Sequence, residues 1–246
     1  MNDQFIQSIQ INWDKIARSS YLRSIPALQF EQPLKFSKSV TFFVGENGTG
    51  KSTLMEAIAV AYGFSAEGGS KNYRFSTYDS HSELHNALYI RRSFHQPGWS
   101  YFLRAESFYN VATKAEEYRD GEREDIYYRN FGGKSLHNQS HGESFLALVQ
   151  GHFKSDGLYL LDEPEAALSP QRQLTLLLEI NRLAREGCQF IIASHSPILL
   201  GIPDAQILSF DDGVIHEIEY TDTESYRVTE MFVNNREYFL RRLFEE

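Results

Sequence analysis

The chain is poor in sulfur, with one cysteine and three methionines among 246 residues. A lone Cys188 forms no intramolecular disulfide, so a disulfide-stapled secreted scaffold is excluded. The apolar run around it, Cys188-Gln-Phe-Ile-Ile-Ala193, suits a small buried residue in a reducing compartment, and the cytoplasm is the expectation. Long apolar runs are missing too, which excludes a helix crossing a bilayer. The opening Met1-Asn-Asp-Gln-Phe5 has neither the basic start nor the apolar stretch of a signal peptide, so membrane insertion and export are not expected. Positive charge is in deficit, at 24 Lys and Arg against 33 Asp and Glu, for a formal net charge of -9. That balance disfavours nonspecific attraction to nucleic acid or to an anionic membrane surface, short of a local basic patch. No internal repeat and no heptad run is present, so long coiled-coil arms are excluded.

A hydrophobic share of 41% over this length supports one α/β domain with a small insertion. Residues 1–44 alternate polar and apolar positions around Pro26 and Pro33, as in Phe5-Ile-Gln-Ser-Ile-Gln-Ile11, and predict a β-rich lead-in. Residues 45–62 read as a glycine-rich loop followed by the helix Ser52 to Tyr62, directly after the β-branched and aromatic strand Val40 to Val44. Ser80-His-Ser-Glu83 has capping-box spacing, and Trp99 to Ala105 resembles a strand. The charged, tyrosine-rich stretch 113–138 predicts an exposed helical insertion, placed within 109–150. In 151–218, Leu158 to Leu161 and Phe190 to Ala193 are continuous apolar runs that suit strands buried on both faces. Ser169-Pro170 and Ser196-Pro197 read as helix starts, and Thr221-Asp-Thr-Glu224 as a capping box opening a helical tail over 219–246.

Gly45-Glu-Asn-Gly-Thr-Gly-Lys51-Ser52 fits G-x-x-x-x-G-K-[ST] between a predicted strand and a predicted helix, the context that makes a phosphate loop. The backbone of Asn47, Gly48, Thr49 and Gly50 would turn N–H groups towards phosphate oxygens, with Thr53 continuing the turn into the helix. Lys51 would place a charge near the β- and γ-phosphates, and the Ser52 hydroxyl would ligate Mg²⁺. Leu158-Tyr-Leu-Leu161 ends in Asp162 and Glu163. Asp162, at the strand's edge, would hold Mg²⁺ through water, and Glu163, one residue further out, would orient or deprotonate a water attacking the γ-phosphorus.

Gln139-Ser-His-Gly-Glu143, lying before that strand, resembles the signature sequence of ABC ATPases. The resemblance implies that Ser140 and the Gly142 backbone contact the γ-phosphate of ATP held by a second subunit. Pro164-Glu-Ala-Ala-Leu-Ser-Pro170 resembles that family's D-loop, and Ser194-His195-Ser196 its switch histidine, which implies that His195 reaches the γ-phosphate and orients water. By the same resemblance Tyr21 stacks on adenine, with Phe30 and Trp13 as alternatives, and Glu106 stands where the family places a Mg²⁺-sensing glutamine. With Ser80 to His85, Leu103 to Phe108 and the tail from Tyr226, the chain is similar throughout to bacterial single-domain AAA-family ATPases of ABC type within the P-loop NTPase superfamily. The fold implied is α/β, with a mainly parallel central sheet, an antiparallel β lead-in and a small helical insertion.

The function expected is hydrolysis of ATP with Mg²⁺ at a site completed by homodimerisation, since one chain carries both the phosphate loop and the signature segment. Such an ATPase would drive or gate an unidentified protein partner. Two alternatives stand beside it. One is the motor subunit of an ABC transporter. The other is the ATPase of a DNA-repair or anti-phage system, although only about ninety residues separate Lys51 from Ser140, without heptads.

Overall fold

The computed structural model describes residues 4–70, 82–105 and 140–244. In chain order its elements are β1 (Ile6–Ile11), β2 (Leu34–Lys35), β3 (Val40–Val44), α1 (Lys51–Tyr62), β4 (Gly69–Ser70), α2 (Leu84–Ala87), β5 (Leu88–Arg92) and β6 (Trp99–Arg104). Then follow α3 (His141–His152), β7 (Gly157–Asp162), α4 (Pro170–Arg185), β8 (Gln189–Ala193), β9 (Gln206–Ser209), β10 (His216–Glu217), α5 (Glu224–Asn234) and α6 (Arg236–Phe244). The predicted insertion at 113–138, the Ser80 capping box, Gln139 and Glu106 lie outside the described residues.

The central sheet has the strand order β10-β9-β3-β8-β7-β6-β4. Its five inner strands are parallel and the two edge strands antiparallel, the arrangement expected from the continuous apolar runs. Successive residues of an inner strand go to opposite faces, and both faces are covered. In β3, Phe42 and Val44 join the core under α3 and α4, while Phe43 joins the core under α1 and the lead-in. All three are buried, and burying each such side chain contributes about 1.5–3 kcal/mol.

The lead-in is an antiparallel sheet in the order β2-β1-β5. Between β1 and β2 the chain runs through 3-10 turns at Trp13–Lys15, Tyr21–Ser24 and Pro26–Leu28, so this region holds more turn and less strand than the alternation predicted. Two buried glutamines tie the lead-in to the central sheet. The Gln189 side chain donates to the Ile6 carbonyl and accepts its N–H, and Gln206 accepts the Ser37 N–H and donates to the Lys35 carbonyl. These bonds satisfy polar groups that burial would otherwise leave unpaired.

Helix starts were legible in one place and misleading in two. Ser169 caps α4 by accepting the Arg172 N–H, with Pro170 at the first helical position. The Ser196 hydroxyl likewise accepts the N–H groups of Ile198 and Leu199, but only a 3-10 turn, Leu199–Gly201, follows before Pro203 forbids a longer helix. At the tail, Thr221 lies inside a 3-10 turn, and α5 starts at Glu224 behind Thr223, whose hydroxyl donates back to the Tyr220 carbonyl. The predicted box at Thr221 therefore does not form. None of the described helices is long and apolar enough to cross a membrane.

Candidate nucleotide site

Parallel strands deliver their carboxyl ends to one edge, and the site is built there. The register sets Arg104 beside Asp162 and Asp162 beside Ala193, and pairs Phe43 with Ala193 and Val44 with Ser209. The residues that follow those positions form the site: the phosphate loop after β3, Glu163 after β7, Ser194 and His195 after β8, and Asp211 after β9.

Gly50 precedes α1 with φ 101°, in the left-handed region, and a Cβ there would stand 2.8 Å from the Ile25 side chain. Glycine meets both demands, and the lead-in can then pack directly against the loop. Lys51 is 4% exposed, and its Nζ donates to the carbonyls of Gly45 and Glu46 at 2.6 and 2.7 Å, inside the curve of the loop. Burial pushes its pKa below the ordinary lysine value, against the opposing pull of Asp211, Glu163, Asp162 and Glu165. Thr49 closes the loop through its hydroxyl to the Glu46 carbonyl, Asn47 and Gly48 are exposed at the lip, and Thr53 is half-buried in the first turn of α1.

Ser52 Oγ donates to Asp162 Oδ1 at 3.1 Å, joining residues 110 positions apart. A hydroxyl and a carboxylate this close are the all-oxygen groups Mg²⁺ prefers, and they would hold it with Ser52 direct and Asp162 through water. Among the described residues no group of three or more His, Cys, Asp or Glu could hold a metal ion. Arg104 stands on the other side of Asp162, its Nε 3.6 Å from Oδ2, and is itself held by Glu56 at 2.8 Å.

Glu163 has φ 51° and ψ 50°, a left-handed conformation uncommon for a residue with a side chain, and its N–H donates to the Ala193 carbonyl. The kink turns the chain out of β7 into the 3-10 turn Pro164–Ala167. There the Glu165 carboxylate accepts the His195 N–H. His195 lines a cavity of 640 Å³ together with Gly45, Glu46 and Asp211. A second cavity of 800 Å³ is lined by Asn47, Gly48 and Thr49, with Pro26 and Ala27 from the lead-in and Arg227 from α5.

The signature segment packs beside the exit turn of β7, with Gly142 close to the Ala167 carbonyl. Ser140 stands at the N-terminus of α3 and donates from both its N–H and its hydroxyl to Glu143. Arg172, in the first turn of α4, donates to Ser140 Oγ and to Glu143 Oε1, each at 3.1 Å. A Cβ on Gly142 would meet Arg172 Nη1 at 2.6 Å and the Ala167 carbonyl at 2.9 Å, so the close approach of the 3-10 turn's backbone favours glycine. Of the aromatic candidates for adenine, Tyr21 is 60% exposed and does not line either cavity. Trp13 lies under the Arg23 guanidinium, and Phe30 packs partly on the core.

A family model described as an AAA domain matches residues 20–175. The chain belongs to the AAA domain family. Among solved structures, this AAA-domain chain is similar to a chain of a metal-chelate-type ABC transporter in an inward-facing conformation, at 17% identity and a TM-score of 0.51, covering 95% of this chain and 90% of that one. It is also similar to the SMC head domain from Thermotoga maritima, at 18% identity and a TM-score of 0.47, covering 87% and 99%. An ATP-binding cassette of an ABC transporter in its ADP conformation gives 16% identity and a TM-score of 0.47, covering 87% and 91%. At these identities the likeness is one of fold, and it rests on the first structure, whose TM-score exceeds 0.5. The fold shared with that transporter chain is α/β with a mainly parallel central sheet. Against curated proteins the sequence finds no match.

Sequence reasoning missed Asp211, Arg104 and Arg172 in this AAA domain. Asp211 Oδ1 accepts the Glu46 N–H at 2.9 Å and so anchors the start of the phosphate loop from 165 residues away. Its one local signal, Phe210-Asp-Asp-Gly213, reads as an ordinary turn.

Proposed function

We propose that the protein hydrolyses ATP with Mg²⁺ at a composite site between two copies of the chain, and that the cycle drives or gates a separate protein partner. The observation that supports this reading is the Ser52–Asp162 hydrogen bond beside the buried Lys51. Loop N–H groups from Asn47 to Thr53 bind the β- and γ-phosphates. Lys51 neutralises their charge, and Ser52 with Asp162 would hold Mg²⁺, which would supply further charge stabilisation to the phosphoryl oxygens. Glu163, held at the rim by its left-handed backbone, orients the attacking water and accepts its proton. His195, across the strand edge, donates to the γ-phosphate. Ser140 and the N–H groups at the start of α3 serve the γ-phosphate bound by the other copy, as an exposed helix N-terminus can. Tyr21 and Glu106 belong to the same reading as the adenine-stacking and Mg²⁺-sensing residues.

The test is Glu163→Gln, purified and supplied with ATP and Mg²⁺. Hydrolysis falls by about 100-fold or more, and light scattering shows an ATP-dependent dimer. A variant that remains monomeric, or that hydrolyses at the unmodified rate, refutes the composite site. Native co-purification identifies the partner, with a multi-span membrane subunit favouring the transporter alternative.

A further inference from the structure

The turn Pro164–Ala167 carries a carboxylate that the proposed chemistry does not use. Glu165 is half-buried, a costly position for an acid. Its Oε1 accepts the backbone N–H of His195, thirty residues away in sequence, and the Ser194 hydroxyl faces the same carboxylate. Its Oε2 is buried with no hydrogen-bond partner, and so is His195 Nε2. Both atoms lie at the same strand edge, one on the carboxylate and one on the histidine whose backbone that carboxylate anchors.

His195 follows the end of β8, and the strand hydrogen bonds that hold Ala193 do not extend to it. Ser194 N–H donates to the Phe43 carbonyl, the last main-chain bond before the histidine. Beyond it the Glu165 carboxylate takes over, and Ser196 N–H is satisfied by the Ser194 hydroxyl. The position of the imidazole therefore depends on a side chain reaching over from β7's exit turn. Glu163 generates that turn through its left-handed kink, so base and switch histidine are set by one short segment.

We propose that Glu165 is the positioning residue of His195: through its hydrogen bond to the His195 N–H it holds the imidazole at the edge of the cavity facing Gly45 and Glu46. This rests on the ATPase reading above. Glu165 works through the histidine and exchanges no proton with the water or the nucleotide. An amide oxygen serves as well as a carboxylate oxygen, whereas a side chain without an acceptor does not.

Steady-state ATP hydrolysis by the full chain with Mg²⁺ tests it. Glu165→Gln keeps kcat within about threefold of the unmodified protein. Glu165→Ala lowers kcat by about 100-fold with KM within about threefold, and His195→Ala does the same. The double variant Glu165→Ala/His195→Ala is no slower than His195→Ala alone, because both changes remove one function. If the alanine variant fails to fold, Glu165→Asp takes its place with the same expectations, because its acceptor, one methylene shorter, no longer reaches the His195 N–H. Additive losses in the double variant, an unimpaired Glu165→Ala, or a glutamine variant as slow as the alanine one overturns the proposal. The two readings fail separately. Hydrolysis unchanged in Glu163→Gln refutes the ATPase mechanism, whereas a dead Glu163→Gln beside an unimpaired Glu165→Ala refutes only the role of Glu165.

Discussion

The phosphate-loop half and the signature half of this chain are assembled by different means. Asp162 ends β7, Glu163 and His195 follow the ends of β7 and β8, and Lys51 opens α1 behind the loop that leaves β3, while the register of those parallel strands sets the strand ends side by side and Lys51 and Asp162 are buried. Ser140, by contrast, is exposed at a helix start and held by side chains, Glu143 from its own turn and Arg172 from α4. Main-chain ladders fix geometry cooperatively, while exposed side-chain hydrogen bonds exchange readily with water. The first half is therefore more rigidly built than the second, whose exposed side-chain bonds exchange with water.

The comparison breaks most visibly at Lys51. Lys51→Ala weakens ATP binding by the single chain by about 100-fold or more, measured by titration calorimetry at fixed Mg²⁺, because charge-assisted bonds to phosphate are lost from a buried position. A smaller effect, and a different readout, belongs to the signature half. Arg172→Ala leaves the affinity of the single chain for ATP within about twofold and weakens ATP-dependent self-association of the Glu163→Gln protein by about tenfold, read by sedimentation. If Arg172→Ala impairs nucleotide binding as Lys51→Ala does, the two halves are not separate.

The smallest effect sharpens the comparison through pH. Burial holds the Glu165 carboxyl above the usual glutamate range, whereas hydrogen bonds from the Ser140 hydroxyl and amide hold Glu143 below it. A raised carboxyl pKa means that ionising Glu165 costs stability as pH rises from about 4.5 through its folded value. A depressed one means that Glu143 contributes stability above the unfolded value and loses it as pH falls through the folded value. At pH 7, then, Glu165→Gln leaves the thermal midpoint unchanged or raises it, and Glu143→Gln lowers it. Both differences shrink in acid, which a pH series of melting curves reads directly.

Legibility in the sequence followed the range of the interactions. The phosphate loop, the Asp162–Glu163 pair and the Ser169-Pro170 helix start were readable because each depends on spacing within a few residues. The Ser196-Pro197 and Thr221 signals used the same local rules and misled, since Pro203 cuts one helix short and a 3-10 turn takes up the other box. Asp211, Arg104 and Glu165 gave almost no signal. Each acts on a residue far away in sequence, and a lone acidic or basic residue after a strand looks like a solvated turn.

By itself the sequence determined the parallel α/β core, through apolar runs buried on both faces, and the phosphate loop, through glycines and a lysine at set spacing. Only the tertiary structure decided which side chains serve that loop. Strand order and register, set by packing across the whole sheet, bring Ser52 to Asp162, Asp211 to Glu46 and Glu165 to His195. No local pattern encodes those meetings, because hydrogen bonds between residues so far apart form only where the folded sheet has already brought its strand ends together.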